Sequence, residues 1–382
     1  MKILRKILYI LVAAVMLCFT LVGCTAAGYT VFENARVFSD DIIFSAQIMG
    51  GRASYAHSRM TELLNDIDKQ VSLSNADSDL SRFNAAGADE RVQVGEYTYD
   101  LFYLSLEYYA LTNGAFNCAI TPLTALWGVN SGFNRQNSGA TGFSAIPTQH
   151  EIEQAQAHCD PRTVTASEED GRYYLTKTDG EVKLDFGGIA KGYAVDKCVE
   201  ILDKYDVRSA LIDISGNAYF YGKNVSAGKE GDWSVGVTNP RPRGGLSRGY
   251  VAAVSLPGDV SAVTSGDYMR YRTADIDGGT VYIPHIISPN GMPIGVEQRD
   301  GVLVQTDEWV ISATVVGSSS ALCDALSTAV AALGLEAGSE LLQKTGHKGL
   351  IFTEKRYTII GEIPLYKPEV YDGFTEYAYY ER

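Results

Sequence analysis

The stretch Leu184–Val199, L-D-F-G-G-I-A-K-G-Y-A-V-D-K-C-V, constrains the rest of the chain most. Its pattern predicts a strand from Val182 to Asp185, a glycine-rich turn, and a helix from about Ile189. Gly187 and Gly188 permit a tight turn that leaves backbone N–H groups facing outward. A helix N-terminus carries free N–H donors and partial positive charge, a setting that suits phosphate or pyrophosphate; Lys191 adds a cation on the first turn. The same residues also make an ordinary strand–turn–helix joint, because glycine loops before helices are common. A second segment near the C-terminus separates these readings.

The chain starts M-K-I-L-R-K, continues with an apolar run from Ile7 to Val22, and reaches Gly23-Cys24. A basic start, apolar core and small residue before the break predict a secretory signal over residues 1–23. Leu21-Val22-Gly23-Cys24 resembles the lipobox of bacterial lipoproteins, which implies acylation of Cys24 and a lipid anchor in the membrane. The other reading is an uncleaved membrane anchor, near the lower limit of spanning length. Either way the body lies outside the cytoplasm. Residues 24–36 read as a tether, 37–365 as the working domain and 366–382 as a C-terminal tail.

Removing Lys2, Arg5 and Lys6 with the signal takes the formal charge from −14 to −17. That acidity argues against nonspecific nucleic-acid binding. Cys118, Cys159, Cys198 and Cys323 match no metal spacing, and Cys198 and Cys323 fall on apolar helix faces as expected of buried thiols.

Met60, Leu63, Leu64, Ile67 and Val71 recur at helical spacing within 52–71, and a second helix covers 97–112. Polar residues 72–84 read as a solvated loop, and the Gly, Ser and Asn-rich run 129–147 as a surface loop. Residues 149–158 read as a helix. Strands are expected at 42–48, 209–214, 218–221, 233–238, 250–255, 281–287 and 309–317. A further hairpin pairs 173–176 with 182–185 through Gly180, and another pairs 349–353 with 357–360. The aromatic residues around 97–127 suit a core and would equally flank an isoalloxazine ring.

The second segment is A-L-C-D-A-L-S-T-A-V-A-A-L, a helix from 321 to 333. Asp324 and Thr328 stand four residues apart and share a face. Both offer hard oxygens, which Mg²⁺ prefers, and Mg²⁺ needs only one or two protein carboxylates. A structural role fits as well: Asp324 favoured by the helix dipole and Thr328 bonded back to the backbone. His285 falls at a strand end, where a lone histidine is commonly structural.

In order along the chain stand S-D-L-S-R-F-N (78–84), G-A-F-N (114–117), P-L-T-A-L-W-G (122–128), L-D-F-G-G-I-A-K-G-Y-A-V-D, S-G-N (215–217), T-S-G-D-Y-M-R-Y (264–271), H-I-I-S-P (285–289) and V-V-G-S-S-S-A-L-C-D-A-L-S-T-A. Together these elements resemble the ApbE family of FAD:protein FMN transferases. The resemblance implies transfer of FMN from FAD to a serine or threonine hydroxyl of an extracytoplasmic acceptor protein, with AMP leaving. Acceptors would belong to membrane redox complexes or be extracellular flavoproteins. It also implies Mg²⁺ on Asp324, Thr328 and the Ala190 carbonyl, with the pyrophosphate over Gly187, Gly188 and Lys191. Asn84, Asn117, Tyr193, His285 and Ile286 are assigned to the flavin nucleotide. His285 is the candidate base, since an unperturbed imidazole titrates near neutral pH.

Two departures from the family pattern stand out: Ser288 replaces an aspartate in a segment one residue shorter, and Asn117 replaces another. Two alternatives use the same residues: an FAD pyrophosphatase, with water as acceptor, and a flavin-binding lipoprotein without catalysis. The expected fold is α+β, with mixed or antiparallel sheets, packed helices and two interlocked lobes around a central cleft.

Overall fold

The computed structural model describes residues 29–37, 42–129, 146–225, 230–241, 250–268, 270–276, 279–366 and 376–380. The signal, Cys24 and most of the 129–147 loop lie outside the described residues. Among the described residues no helix is long and apolar enough to cross a membrane.

A nine-stranded mixed sheet carries the architecture. Its order is Thr30–Val37, Ile42–Met49, Ser209–Ile214, Asn217–Tyr221, Val260–Gly266, Val310–Gly317, Lys348–Thr353, Arg356–Ile360 and Glu376–Tyr380. All neighbours are antiparallel except the last pair. One face packs on helices Ala53–Val71, Ala190–Lys204 and Ser320–Leu333, and this layer holds the main core. In the first of these helices Ala53, Ala56, Met60, Leu64, Ile67 and Val71 are buried, the stripe that a 3.6-residue period predicts. The opposite face of the sheet packs on strands Trp233–Thr238 and Tyr250–Leu256. A third cluster gathers Leu123, Trp127 and Ile152 with the hairpins Tyr271–Ile276/Gly279–Pro284 and Val296–Arg299/Val302–Gln305. The α+β class with mixed sheets is therefore as expected.

Two local expectations fail. Residues 182–186 form no strand, and the 173–176 segment pairs instead with Val164–Glu169 and Val92–Val94. Val182, Leu184 and Phe186 do alternate into the core. The ladder positions beside them are taken by the Asn84 side chain and a single bond from Asp185 N to the Cys118 carbonyl. Residues 79–85 are a short helix rather than loop: the Ser78 hydroxyl accepts from Ser81 N, and Leu80 and Phe83 are buried. The expected tether contributes the strand Thr30–Val37, and the expected tail contributes Glu376–Tyr380, beside Arg356–Ile360.

The helices Ala190–Lys204 and Ser320–Leu333 cross at their first turns. A Cβ on Gly192 would overlap the Ser320 carbonyl and stand 2.8 Å from Ala321 Cα. Both obstacles are backbone, so no side chain can rotate away. Gly192→Ala is expected to destabilise by about 1–3 kcal/mol in urea unfolding despite the better helix propensity of alanine. Gly51→Ala, with nothing within 4 Å of the added methyl, should stay within about 0.5 kcal/mol of wild type.

Candidate active site

The crossing brings two helix N-termini together, and each receives a carboxylate from the other helix. Asp196 accepts from Ser320 N at 2.7 Å, Ala321 N at 3.0 Å and the Ser319 hydroxyl at 2.9 Å. Asp324 accepts from Gly192 N at 3.0 Å. Both stand where the helix dipole favours negative charge. Burial pushes the Asp196 carboxyl up, and its three hydrogen bonds oppose that. Lys191 Nζ lies 3.2 Å from each Asp324 oxygen and 3.2 Å from the Gly187 carbonyl. The Asp324 side chain is only 2% exposed, so this pairing matters: an unpaired carboxylate there would be strongly disfavoured.

One turn on, Thr328 Oγ1 lies 3.3 Å from the Ser265 hydroxyl, which also meets Ser327 Oγ at 2.8 Å. Ser327 donates to the Asp324 carbonyl at 2.9 Å. A Cβ on Gly188 would come to 3.3 Å from both Thr328 Oγ1 and the Phe116 ring. The mid-chain turn and the late helix therefore face each other at close approach, with little room for a side chain at Gly188. Neither Gly187 nor Gly188 has a positive φ, so close approach, not left-handed backbone, is what glycine serves here. The Gly187 N–H does not face outward. It donates to Asp185 Oδ1 at 2.7 Å.

These donors fit Mg²⁺. Asp324 already holds a cation, Thr328 supplies a hydroxyl, and Ala190 opens the helix beside them, itself buried. Among the described residues no group of three or more His, Cys, Asp and Glu could hold a metal. One carboxylate, one hydroxyl and one main-chain carbonyl are the donors of a hard, water-retaining ion rather than of a thiolate or imidazole site.

His285 follows the strand Gly279–Pro284. Its backbone N–H and its Nδ1 both point to the Arg270 carbonyl, at 3.3 Å and 3.0 Å. A carbonyl only accepts, so Nδ1 carries the proton and Nε2 presents a lone pair. Desolvation, with the charges of Arg270 and Lys191, lowers the imidazole pKa to about 4. Arg270 and Lys191 also act on the Asp185 carboxyl, which burial pushes upward.

Several residues assigned to the nucleotide also have partners within the protein. The Asn84 amide donates to the Leu184 carbonyl at 2.8 Å and accepts from Leu184 N at 2.7 Å. Asn117 donates to the Cys159 carbonyl at 2.7 Å and accepts from Ala119 N at 2.8 Å. The Tyr193 ring is buried in the main core, and its hydroxyl donates to Asp100 Oδ2 at 2.9 Å. Burial and that carboxylate hold its pKa well above the usual range. Ile286 is buried, with its carbonyl accepting from Ile294 N. The Asn84, Asn117 and Tyr193 side chains thus also hold local structure together. Sequence reasoning missed Asp185, Asp196, Ser265 and Arg270, though each lies inside a quoted motif. All four described cysteines are buried and free, Cys198 and Cys323 as expected.

Two measurements check this geometry. Asn84→Ala removes both bonds to Leu184 and is expected to cost about 2 kcal/mol, with faster hydrogen exchange at the Leu184 amide. The His285 ring should titrate by NMR near pH 4 in the folded protein. Because the folded value lies below the ordinary 6.5, the unfolded chain binds this proton first. Its contribution is fully present above about pH 6.5 and is lost as pH falls toward about 4.

Comparison with known proteins places this geometry in a family. Residues 37–351 match the model of the ApbE family. A FAD:protein FMN transferase from Treponema pallidum is 31% identical over 318 residues, covering 80% of each chain. A FAD:protein FMN transferase from Klebsiella pneumoniae is 27% identical over 341 residues, 87% of this chain and 94% of the relative. The ApbE protein from Thermotoga maritima superposes with a TM-score of 0.68 at 25% identity, over 85% of this chain and 94% of that one. The Pseudomonas stutzeri flavinyl transferase ApbE, in its apo form, shares the fold at a TM-score of 0.66 and 23% identity, over 92% and 98%. With a family model over most of its length, a relative at 31% identity and the fold in agreement, the chain belongs to the ApbE family.

Proposed function

We propose that this protein transfers FMN from FAD to a serine or threonine hydroxyl of an acceptor protein outside the cytoplasm. The observation that carries the reading is the meeting of Asp324 and Thr328 with the Gly188–Gly192 segment, in the electrostatic reach of His285. The names borne by the curated relatives support the same reaction. The L-V-G-C ending supports a lipid anchor on Cys24 in the bacterial cell membrane, with the body outside the cytoplasm and within reach of membrane redox complexes and extracellular flavoproteins.

Lys191 and the open side of the Gly188–Lys191 turn would receive the FAD diphosphate. Asp324, Thr328 and the Ala190 carbonyl would hold Mg²⁺, which when bound supplies positive charge to the phosphoryl oxygens. His285 Nε2 takes the proton from the acceptor hydroxyl. The hydroxyl oxygen bonds to the phosphorus of the FMN moiety, the bond from that phosphorus to the bridging oxygen breaks, and AMP leaves with that oxygen. Free His285 is fully deprotonated at neutral pH but a weak base. A diphosphate beside it offsets the Arg270 and Lys191 charges that hold its pKa down, so its proton affinity rises when substrate is present.

Mass spectrometry of candidate acceptors after incubation with protein, FAD and Mg²⁺ tests the assignment. The expected product is an acceptor carrying FMN, with AMP formed in equal amount. Asp324→Ala should abolish Mg²⁺-dependent turnover in a folded protein. Rapid release of free FMN without acceptor would instead make the protein an FAD pyrophosphatase. FAD bound but intact beside Mg²⁺ and a competent acceptor would leave a flavin-binding lipoprotein.

A further inference from the structure

Arg270 enters the mechanism above only through its charge on His285, yet its position is distinctive. It precedes the strand Tyr271–Ile276, whose register sets Tyr271 opposite Pro284 and so Arg270 opposite His285. Directly opposed residues of an antiparallel pair send their side chains to the same face. The guanidinium and the candidate base are therefore neighbours. Arg270 is exposed, and among the described residues its side chain has no hydrogen bond or ion pair. Other arginines nearby differ: Arg241 is held by Asp267 at 2.8 Å and by Glu354 at 2.7 Å. Arg270 also acts on Asp185, which caps the Gly187 turn. An unpartnered cation is thus left between the base and the diphosphate turn, whereas Lys191 is already engaged by Asp324.

We propose that Arg270 is a further catalytic residue that grips the phosphoryl group being transferred, the phosphate of the FMN moiety. This rests on the reaction proposed above. A base that takes a proton from the acceptor hydroxyl must stand beside the phosphorus which that hydroxyl attacks. The cation beside the base then faces the equatorial oxygens of the same phosphorus, and the leaving adenylate departs from the far side. A guanidinium suits two phosphate oxygens at once. Its main-chain carbonyl meanwhile fixes the His285 tautomer.

The test compares ligands that differ by one phosphate. In wild type and in Arg270→Gln, calorimetry measures affinity for FMN, riboflavin and AMP, with Mg²⁺ present. Arg270→Gln should weaken FMN by about 10- to 100-fold and leave riboflavin and AMP within about twofold. Arg270→Lys should recover part of the loss, since it restores charge but not the fork. The NMR titration of His285 should shift upward in Arg270→Gln, because one of the two cations facing it, the other being Lys191, has gone. Unchanged FMN affinity, equal losses for FMN and riboflavin, or a loss confined to AMP would each overturn the assignment. Because these are binding measurements, they hold even if wild type transfers no FMN, which would sink the proposed function instead.

Discussion

The contact between Asp324 and the Gly192 N–H is the constraint on which the rest depends. It buries a carboxylate inside a helix crossing, which is stable only with donors and counter-charge in place. The N-terminus of the Ala190–Lys204 helix supplies the donor, Lys191 the counter-charge, and the missing Cβ of Gly192 the room. Asp196 returns the arrangement on the other helix with three hydrogen bonds. The two helices are thereby fixed at the end where their dipoles are positive. The diphosphate site proposed above would be a consequence of that packing: two N-termini and an ammonium converge, and two carboxylates keep the excess positive charge in check.

The sheet explains why the late segment can meet the middle one at all. Val260–Gly266 and Val310–Gly317 are neighbours in its centre, with the Ser320–Leu333 helix lying over them. Ser261 bonds Ser320 at 2.9 Å and Ser265 bonds Ser327 at 2.8 Å, so the helix is pinned to the strand by hydroxyl pairs at both ends of the contact. Such pairs cost little when both partners are satisfied, and they set rotation more sharply than apolar packing does. Thr328 is aimed at Gly188 by this pinning.

Periodicity made the long helices legible, because their buried stripes are written in Met60, Leu64, Ile67 and their kind. It failed where partners are remote or elements short. Residues 182–186 alternate like a strand, yet what satisfies Leu184 is one amide side chain 100 positions away. The 79–85 helix offers only Leu80 and Phe83 to a periodicity reading, too few to distinguish it from a polar loop. At the site, the pairing of Asp324 and Thr328 with the glycine turn was readable from motif order. Arg270 was not, since its placement follows from a strand register that no spacing in the chain encodes.

The two departures from the family pattern have local physical reasons. Asn117 donates to the Cys159 carbonyl and accepts from Ala119 N. An aspartate could accept from Ala119 but would set a second acceptor against the Cys159 carbonyl, so the amide suits this scaffold where a carboxylate would not. Ser288 opens a tight turn in which its N–H bonds the Met292 carbonyl at 2.7 Å and its carbonyl accepts from Gly291 N at 2.9 Å. Trp127 and Gln156 clamp that turn from outside through the Gly291 and Pro289 carbonyls. The shortened segment is thus held by backbone and neighbouring side chains, with no carboxylate required to order it. Asn117 and the Ser288 backbone, satisfied in this way, serve the scaffold. In the proposed reaction the chemistry would instead fall to His285 Nε2, the Arg270 guanidinium, Lys191 and the Asp324–Thr328 pair, none of which these two departures touch.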